Sequence, residues 1–421
     1  MKLNIENFAK IKNANINFNG ITVIAGENNT GKSTVGKIMF SLFNSFNCMD
    51  EKIKKQINFS LINQLLRTTN IEFERLDVLE SISKELIKAD LSDGKHSIEN
   101  ILKNYSRIVK IVDKKGIDEI WNILNYDEDR LKSLIIRGIF DREFHQQYYS
   151  LVSKIESFKL LLVVKNTTLE VSSLNNQITS KKSFDLTKKC IVIDDPFVLD
   201  KLPLRKRNKE FLEQLMDQTR EYSHSSYLVK LLEEGREKSD ISLITQDILS
   251  SRIEKFLNLI KEQVHGDFIV RDNKLMFHNE KNDFDIRLSN LSTGVKSFAI
   301  LLKLLEDGQI EDNSMIVLDE PEVHLHPKWQ LIYAELLVLL QKEFDLNILI
   351  TTHSPYFLNA IEVYSKLYKI ESRCDYYHSF LDEEGYATFK HVNGNVEDIY
   401  KLLAEPFDIL QDLEEKIDDE D

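Results

Sequence analysis

Eight residues near the start of the chain, Gly26-Glu27-Asn28-Asn29-Thr30-Gly31-Lys32-Ser33, follow the pattern G-x-x-x-x-G-K-S. Glycines at the two ends of such a run let the backbone turn tightly, so that successive N–H groups converge on phosphate oxygens. The start of a following helix adds a partial positive charge. In a loop of this kind Lys32 reaches the β- and γ-phosphates and Ser33 holds Mg²⁺. Gly26, Asn28, Asn29, Thr30, Gly31 and Thr34 are expected to line the phosphates with them.

Three further groups of residues carry chemistry late in the chain. Ser314 to Pro321 is an apolar run ending in two acids. Asp319 is placed to hold Mg²⁺ through water and Glu320 to polarise an attacking water, while Pro321 ends the strand. Asn347 to Ile350 is a second apolar run, followed by Thr351-Thr352-His353-Ser354-Pro355, and His353 is placed to meet the γ-phosphate or that water. Leu291-Ser292-Thr293-Gly294-Val295-Lys296-Ser297 opens a helix. Ser292 stands at its N-cap region and Gly294 permits close backbone approach, the kind of helix start that meets an anion. His324 and His326 lie two residues apart with no third ligand, which speaks against a metal centre.

These side chains need particular elements to hold them. Ile21 to Ala25 is β-branched and apolar, a buried strand, and Val35, Ile38, Met39, Leu42, Phe43 and Phe46 have helical spacing after the loop. Leu3, Ile5 and Phe8 mark a first strand and Ile16 and Phe18 a second, with Asn19-Gly20 as the turn into the third. Residues 50–158 lack proline and read as a compact helical insertion without sustained heptads. Phe158–Val164 and Thr168–Val171 return to strand character. Cys190-Ile191-Val192-Ile193 reads as a strand rejoining the sheet beside the phosphate loop, with Asp194 and Asp195 near the nucleotide. Residues 205–264 read as a helical subdomain. Phe268–Val270, Lys274–Phe277 and Phe284–Leu288 read as strands around an Asp272-Asn273 turn. Lys366–Ile370, Tyr376–Leu381 and Ala387–Val392 read as strands, then a helix from Val396 to Leu413 and an acidic tail. The domain plan is thus a head formed by 1–49, 159–204 and 265–392, interrupted by 50–158 and 205–264 and closed by 393–421.

The 421 residues exceed what one hydrophobic core usually serves. A net charge of −14 disfavours a dedicated nucleic-acid coat. Lys201–Lys209 is the one dense basic run. It is either a solvated helix start or a contact for a phosphate backbone. Three widely spaced cysteines suggest neither a disulfide framework nor a metal site and fit a reducing cytosol. Met1–Phe8 carries an early acid, unlike a secretory leader, and no apolar run approaches a membrane span.

The order G-E-N-N-T-G-K-S, L-S-T-G-V-K-S, I-V-L-D-E-P-E-V-H-L-H-P, T-T-H-S-P resembles the ABC-type ATPases of the SMC/RecF/OLD kind. The E-P-E-x-H-L-H-P run is especially similar to OLD-type ATPases and to ATPase subunits of bacterial anti-phage systems. Motif coverage is residues 1–46 and 288–362. The resemblance implies an α/β P-loop ATPase head, a mixed sheet with flanking helices, carrying a mainly helical insertion. It implies ATP and Mg²⁺ as ligands, and a homodimer, or a higher oligomer built on it, that sandwiches ATP. Lys32, Ser33, Asp319, Glu320 and His353 of one subunit would face Ser292 and Gly294 of the other. L-S-T-G-V departs from the transporter-like L-S-G-G-Q, and no Q-loop glutamine is evident. The chain after His353 has no acid pair following a strand, so a separate effector, a nuclease or toxin, is the expected partner. A DNA-binding repair or chromosome-maintenance ATPase, and a nucleotide-gated scaffold with slow hydrolysis, are the alternative functions.

Overall fold

The computed structural model describes the chain apart from residues 70–75, 106–111, 203–221, 235–253 and 417–421 and the short stretches 151, 154, 175–176, 183–185, 255, 257, 263–264, 272–273, 394–395, 398, 402–408, 412 and 414–415. It separates into two compact units, one formed by 1–47, 140–206 and 222–421, the other by 48–139 and 207–221.

The first unit is built on an eleven-stranded mixed sheet. Its opening strands β1 (Lys2–Phe8), β2 (Ile11–Asn17) and β3 (Ile21–Gly26) arise where the sequence alternates or turns wholly apolar. Leu3 and Ile5 bury one face of β1 and Phe8 is buried at its end, whereas every residue of β3 is buried, as a central strand requires. The other members are β4 (Ser157–Val164), β5 (Thr167–Leu174), β6 (Gln177–Lys182), β7 (Cys190–Ile193), β11 (Met315–Asp319), β12 (Asn347–Thr352), β13 (Cys374–Leu381) and β14 (Ala387–His391). Their order is β6-β5-β4-β1-β2-β14-β13-β3-β12-β11-β7. β7, β11, β12, β3 and β13 run parallel, and β1, β2, β4, β5 and β6 form an antiparallel wing.

Register decides where the chemistry lies. Asp319 pairs with Thr351, Thr351 with Ile24, and Gly26 with Ser379. The carboxyl ends of β11, β12, β3 and β13 are therefore level, at the edge of a parallel sheet where ligands are bound. Helices α1 (Lys32–Phe46), α8 (Thr293–Glu306), α9 (Pro327–Phe344) and α10 (Pro355–Leu367) contribute buried faces to this unit; α7 (His224–Glu234) adds Leu228, Leu231 and Leu232. A separate three-stranded sheet comprises β8 (Gly266–Arg271), β9 (Lys274–Asn279) and β10 (Phe284–Arg287).

The second unit contains α2 (Met49–Thr69), α3 (Leu76–Lys88), α4 (Lys95–Asn104) and α5 (Lys114–Leu124). Leu61, Leu65, Leu79, Ile82, Ile98 and Ile120 are among the residues of its own core. Asp113 caps α5 by accepting from the Gly116 N–H at 2.8 Å.

Several expectations need correction. The insertion does not extend to 158: the unit boundary falls at 139/140, inside α6 (Glu128–Phe144). Phe140, Phe144, Tyr148 and Phe158 ring the buried Phe8 of β1, with centroids between 4.8 and 6.4 Å from it. This aromatic cluster fixes 140–158 to the head. β7 is the edge strand beside β11 and does not adjoin the phosphate-loop strand. Lys366–Ile370 is not a strand: α10 runs through Leu367, and Tyr364 stacks on Tyr368 one turn on. The bulk of the Lys201–Lys209 run, the 272–273 turn, most of the 210–264 helices and half of the Val396–Leu413 helix lie outside the described residues.

Candidate active site

The loop from Gly26 to Ser33 joins β3 to α1, and its glycines have separate reasons. A Cβ on Gly26 would lie 2.1 Å from the Ser379 carbonyl oxygen of β13, so only glycine fits there. Gly31 has φ +82° at the helix N-cap, in the left-handed region that glycine occupies without strain. Thr30 closes the loop from within, its hydroxyl donating to the Glu27 carbonyl at 2.8 Å and meeting the Ser379 hydroxyl at 2.8 Å. Asn29 accepts from Lys10 Nζ at 2.7 Å. Asn28 is exposed and Thr34 half-buried on α1.

Lys32 is buried, and its Nζ donates to the carbonyls of Gly26 at 2.9 Å and Glu27 at 2.7 Å. Burial pushes its pKa down from the usual lysine value, against the opposing pull of Glu320, Asp319, Glu322 and Glu27. The ammonium is thus held over the loop, 3.8 Å from Glu320 Oε1.

Ser33 donates to Asp319 Oδ1 at 3.0 Å, and Thr351 donates to the same oxygen. Two hard oxygen donors side by side at a phosphate loop suit Mg²⁺, which takes few protein ligands and completes its shell with phosphate and water. Among the described residues no group of three or more His, Cys, Asp or Glu side chains could hold a metal unaided, His324 and His326 included. His326 instead caps α9, its Nδ1 accepting from the Lys328 N–H at 3.3 Å.

Glu320 follows β11 with φ +48°, a left-handed conformation uncommon for a residue with a Cβ. Its N–H is shared by the Thr351 carbonyl and hydroxyl oxygens, each at 3.1 Å. His353 Nδ1 lies 3.5 Å from Glu320 Oε1 and 3.8 Å from Glu322 Oε1. Sequence reasoning gave Glu322 no role. It is 2% exposed, accepts from the Thr352 hydroxyl and from the His353 N–H at 3.1 Å, and its other oxygen has no hydrogen-bond partner among the described residues. Burial raises its pKa above the usual carboxylate range, although these donors and His353 pull the other way. The E-P-E spacing was the visible signal.

Ser292 and Gly294 lie elsewhere on the same unit. Ser292 is the N-cap of α8, but its hydroxyl makes no capping hydrogen bond. Gly294 makes room within its own chain: a Cβ there would lie 2.8 Å from the Trp329 ring and 3.3 Å from the His324 carbonyl oxygen. Lys296, one turn into α8, is buried and donates to Asp200 at 2.6 Å and to the Ser289 carbonyl at 3.1 Å.

Asp194 and Asp195 are engaged in structure. Asp195 caps the short turn Pro196–Lys201, accepting from the Phe197 N–H at 2.8 Å. Asp194 meets His224 Nε2 at 2.7 Å, while His224 Nδ1 meets Glu143 at 2.5 Å. Burial alone lowers the His224 pKa, but its two carboxylate partners prevail and take it up to about 9.

A phosphate-cradling loop, paired acids at the next-but-one strand end and a histidine between them define a P-loop nucleotide site on an α/β sheet. The chain belongs to the AAA ATPase domain family, whose description matches residues 1–358. Among solved structures it is similar to the SMC head domain from Thermotoga maritima, at 12% identity and TM-score 0.39, covering 93% of this chain and 98% of that one. It is also similar to the Smc head domain with an extended coiled coil bound to the C-terminal domain of ScpA from Pyrococcus furiosus, at 12% identity and TM-score 0.45, covering 96% and 98%. No helix among the described residues is long and apolar enough to cross a membrane.

Proposed function

We propose that this protein hydrolyses ATP and uses the nucleotide cycle to control a separate effector. The observation that carries the hydrolytic reading is the convergence of Lys32, Ser33, Asp319, Glu320 and His353 at one sheet edge. Lys32 leaves its carbonyl partners for the β- and γ-phosphate oxygens and offsets their charge. Ser33 and Asp319 hold Mg²⁺, which when bound neutralises phosphate charge. Glu320, relieved of Lys32, orients and polarises water for in-line attack, and His353 contacts the terminal phosphate or that water.

Ser292 and Gly294 serve a second copy in this reading. The start of α8 presents backbone N–H groups that a partner's nucleotide would complete, so ATP closes a head-to-tail dimer. The E-P-E-x-H-L-H-P run, similar to that of anti-phage ATPase subunits, supports a defence role in which the closed dimer restrains or releases a nuclease or toxin.

The deciding experiment compares purified wild-type, Glu320→Gln and Lys32→Ala proteins. Glu320→Gln is expected to bind ATP and accumulate as a closed dimer, with hydrolysis reduced by at least about a hundredfold. Lys32→Ala is expected to lose nucleotide binding. Wild-type turnover in both variants would overturn the assignment.

A further inference from the structure

The second acid of Glu320-Pro321-Glu322 stands in the site without a role in the scheme above. It is the more deeply buried of the two, with 2% of the residue exposed against 31% of the Glu320 side chain. A carboxyl in that setting is costly unless its oxygens are satisfied. One oxygen is: Oε1 takes the Thr352 hydroxyl and the His353 N–H. The other, Oε2, is enclosed with no hydrogen-bond partner among the described residues. Such an arrangement is poor as a purely structural device, since an amide or an apolar residue of similar size would avoid the desolvation.

The His353 ring also lies beside Glu322. The peptide N–H that Glu322 holds belongs to the residue whose Nδ1 lies 3.8 Å from the same oxygen. A second brace fixes the two segments together. Gln330 Nε2 donates to the Glu322 carbonyl at 3.3 Å and to the Leu325 carbonyl at 3.2 Å, and its Oε1 accepts from the Ser354 hydroxyl at 3.3 Å. The turn after β11 and the end of β12 are therefore tied together, with Glu322 at the junction.

Glu320 and Glu322 both face Nδ1, but they are not equivalent. Glu320 lies within ion-pair reach of Lys32 and has more solvent exposure, so nucleotide binding would redirect it. It cannot serve an attacking water and the imidazole at once. Glu322 is anchored at both its backbone carbonyl and one side-chain oxygen. A carboxylate beside Nδ1 favours the tautomer with hydrogen on Nδ1 and leaves Nε2 as the free acceptor.

We propose that Glu322 is a positioning residue of the hydrolytic site: it pins the Thr352–His353 turn, takes over Nδ1 of His353, and so frees Glu320 for water. This rests on the ATPase reading for its consequence, whereas the Glu322–His353 relationship itself is one of geometry. Burial raises the pKa of the Glu322 carboxyl and His353 already pulls against that, so a closer approach of the imidazole would strengthen an existing contact. Among the described residues, Lys32 and His353 act on it electrostatically.

Glu322→Gln is the informative substitution, because an amide keeps the shape and an acceptor for Thr352 and the His353 N–H but loses the charge. The full chain carrying it is expected to unfold at the wild-type temperature and bind ATP with KM within about twofold of wild type. Its kcat should fall between about tenfold and about a hundredfold, the scale of a misplaced catalytic group. His353→Ala should fall by a similar factor, and the double variant no further, since both act through one ring. Wild-type kcat in Glu322→Gln, or multiplying losses in the double variant, would overturn the proposal.

A readout independent of turnover separates this from the ATPase assignment. Histidine-selective ¹⁵N spectra at alkaline pH, taken without nucleotide in a Glu320→Gln background that removes the nearer carboxylate, should show His353 mainly with hydrogen on Nδ1, shifting towards the other tautomer when Glu322→Gln is added. Identical ring spectra in the two proteins would sink the positioning role. The spectral shift, found together with a wild-type protein that does not hydrolyse ATP, would uphold Glu322 while removing the hydrolytic reading.

Discussion

Ser33 donates its hydroxyl to Asp319 across 3.0 Å, bringing together residues 286 positions apart. The contact joins the first turn of α1 to the last residue of β11 and needs no bridging group. Both atoms are hard oxygen donors, and Thr351 crowds the same Asp319 oxygen. A cation entering here would replace a neutral hydroxyl contact by charge attraction, so the pair marks the position proposed for Mg²⁺.

The first prediction follows from that pair. Asp319→Asn retains an acceptor for Ser33 and Thr351, so the fold and thermal stability should change little. It removes the charge a divalent ion requires. Wild-type protein should bind ATP more tightly with Mg²⁺ than with chelator. Asp319→Asn should lose that difference, as read by calorimetry under both conditions. An undiminished magnesium dependence would exclude Asp319 as a ligand.

A second prediction concerns the start of α8. Gly294 leaves no room for a Cβ, because Trp329 would be met at 2.8 Å and 2.9 Å. Trp329 is itself set edge-on against the buried Phe298, with centroids 5.8 Å apart, so it cannot retreat freely. Gly294→Ala should therefore destabilise the protein by about 1–3 kcal/mol, the usual cost of overpacking. It should also move the helix start that is proposed to face a partner's nucleotide. Nucleotide-driven dimerisation, followed by light scattering with Glu320→Gln in the background, should weaken while ATP binding to the monomer persists. Dimerisation unchanged by Gly294→Ala would remove α8 from the interface.

Much of the site was legible because each part is local. The loop Gly26–Ser33 is contiguous, Asp319 and Glu320 close an apolar strand, and His353 closes another. Strand β1 announced itself by burying Leu3 and Ile5 on alternate positions. What escaped was set by partners distant in sequence. Nothing in Cys190–Ile193 says that it pairs with β11 at the sheet edge, since an all-apolar strand fits equally beside β3. The strand Gln177–Lys182 is polar and lies at the opposite edge, so its composition resembles a loop. Phe140 and Phe144 continue a helical pattern without interruption, and only the cluster around Phe8 reveals that the compact unit changes within α6. Glu322 looked like one more acid on a turn until β12 brought Thr352 and His353 against it.

The last prediction uses a cluster that no local pattern could show. His224 at the start of α7 lies between Glu143, 81 residues before it, and Asp194, 30 residues before it. Glu143 also accepts the His224 N–H at 2.9 Å, so one carboxylate caps the helix and pairs with its first side chain. The His224 pKa stands at about 9, above the ordinary 6.5 of the unfolded chain. A histidine with a raised folded pKa binds its proton more tightly when folded, so its stabilising contribution is complete below about pH 6.5 and disappears as pH rises through about 9. Asp194 has the opposite sign, its pKa lowered by His224 against the effect of burial, so its contribution disappears only in acid. Thermal stability of the wild type should therefore fall from pH 6.5 to pH 9.5 through this cluster. His224→Gln should be destabilised by about 3–5 kcal/mol at the lower pH, because it leaves the buried Glu143 carboxylate without its cation. The gap between the two proteins should narrow towards pH 9.5. Parallel stability curves across that range would mean that His224 does not carry the proton assigned to it.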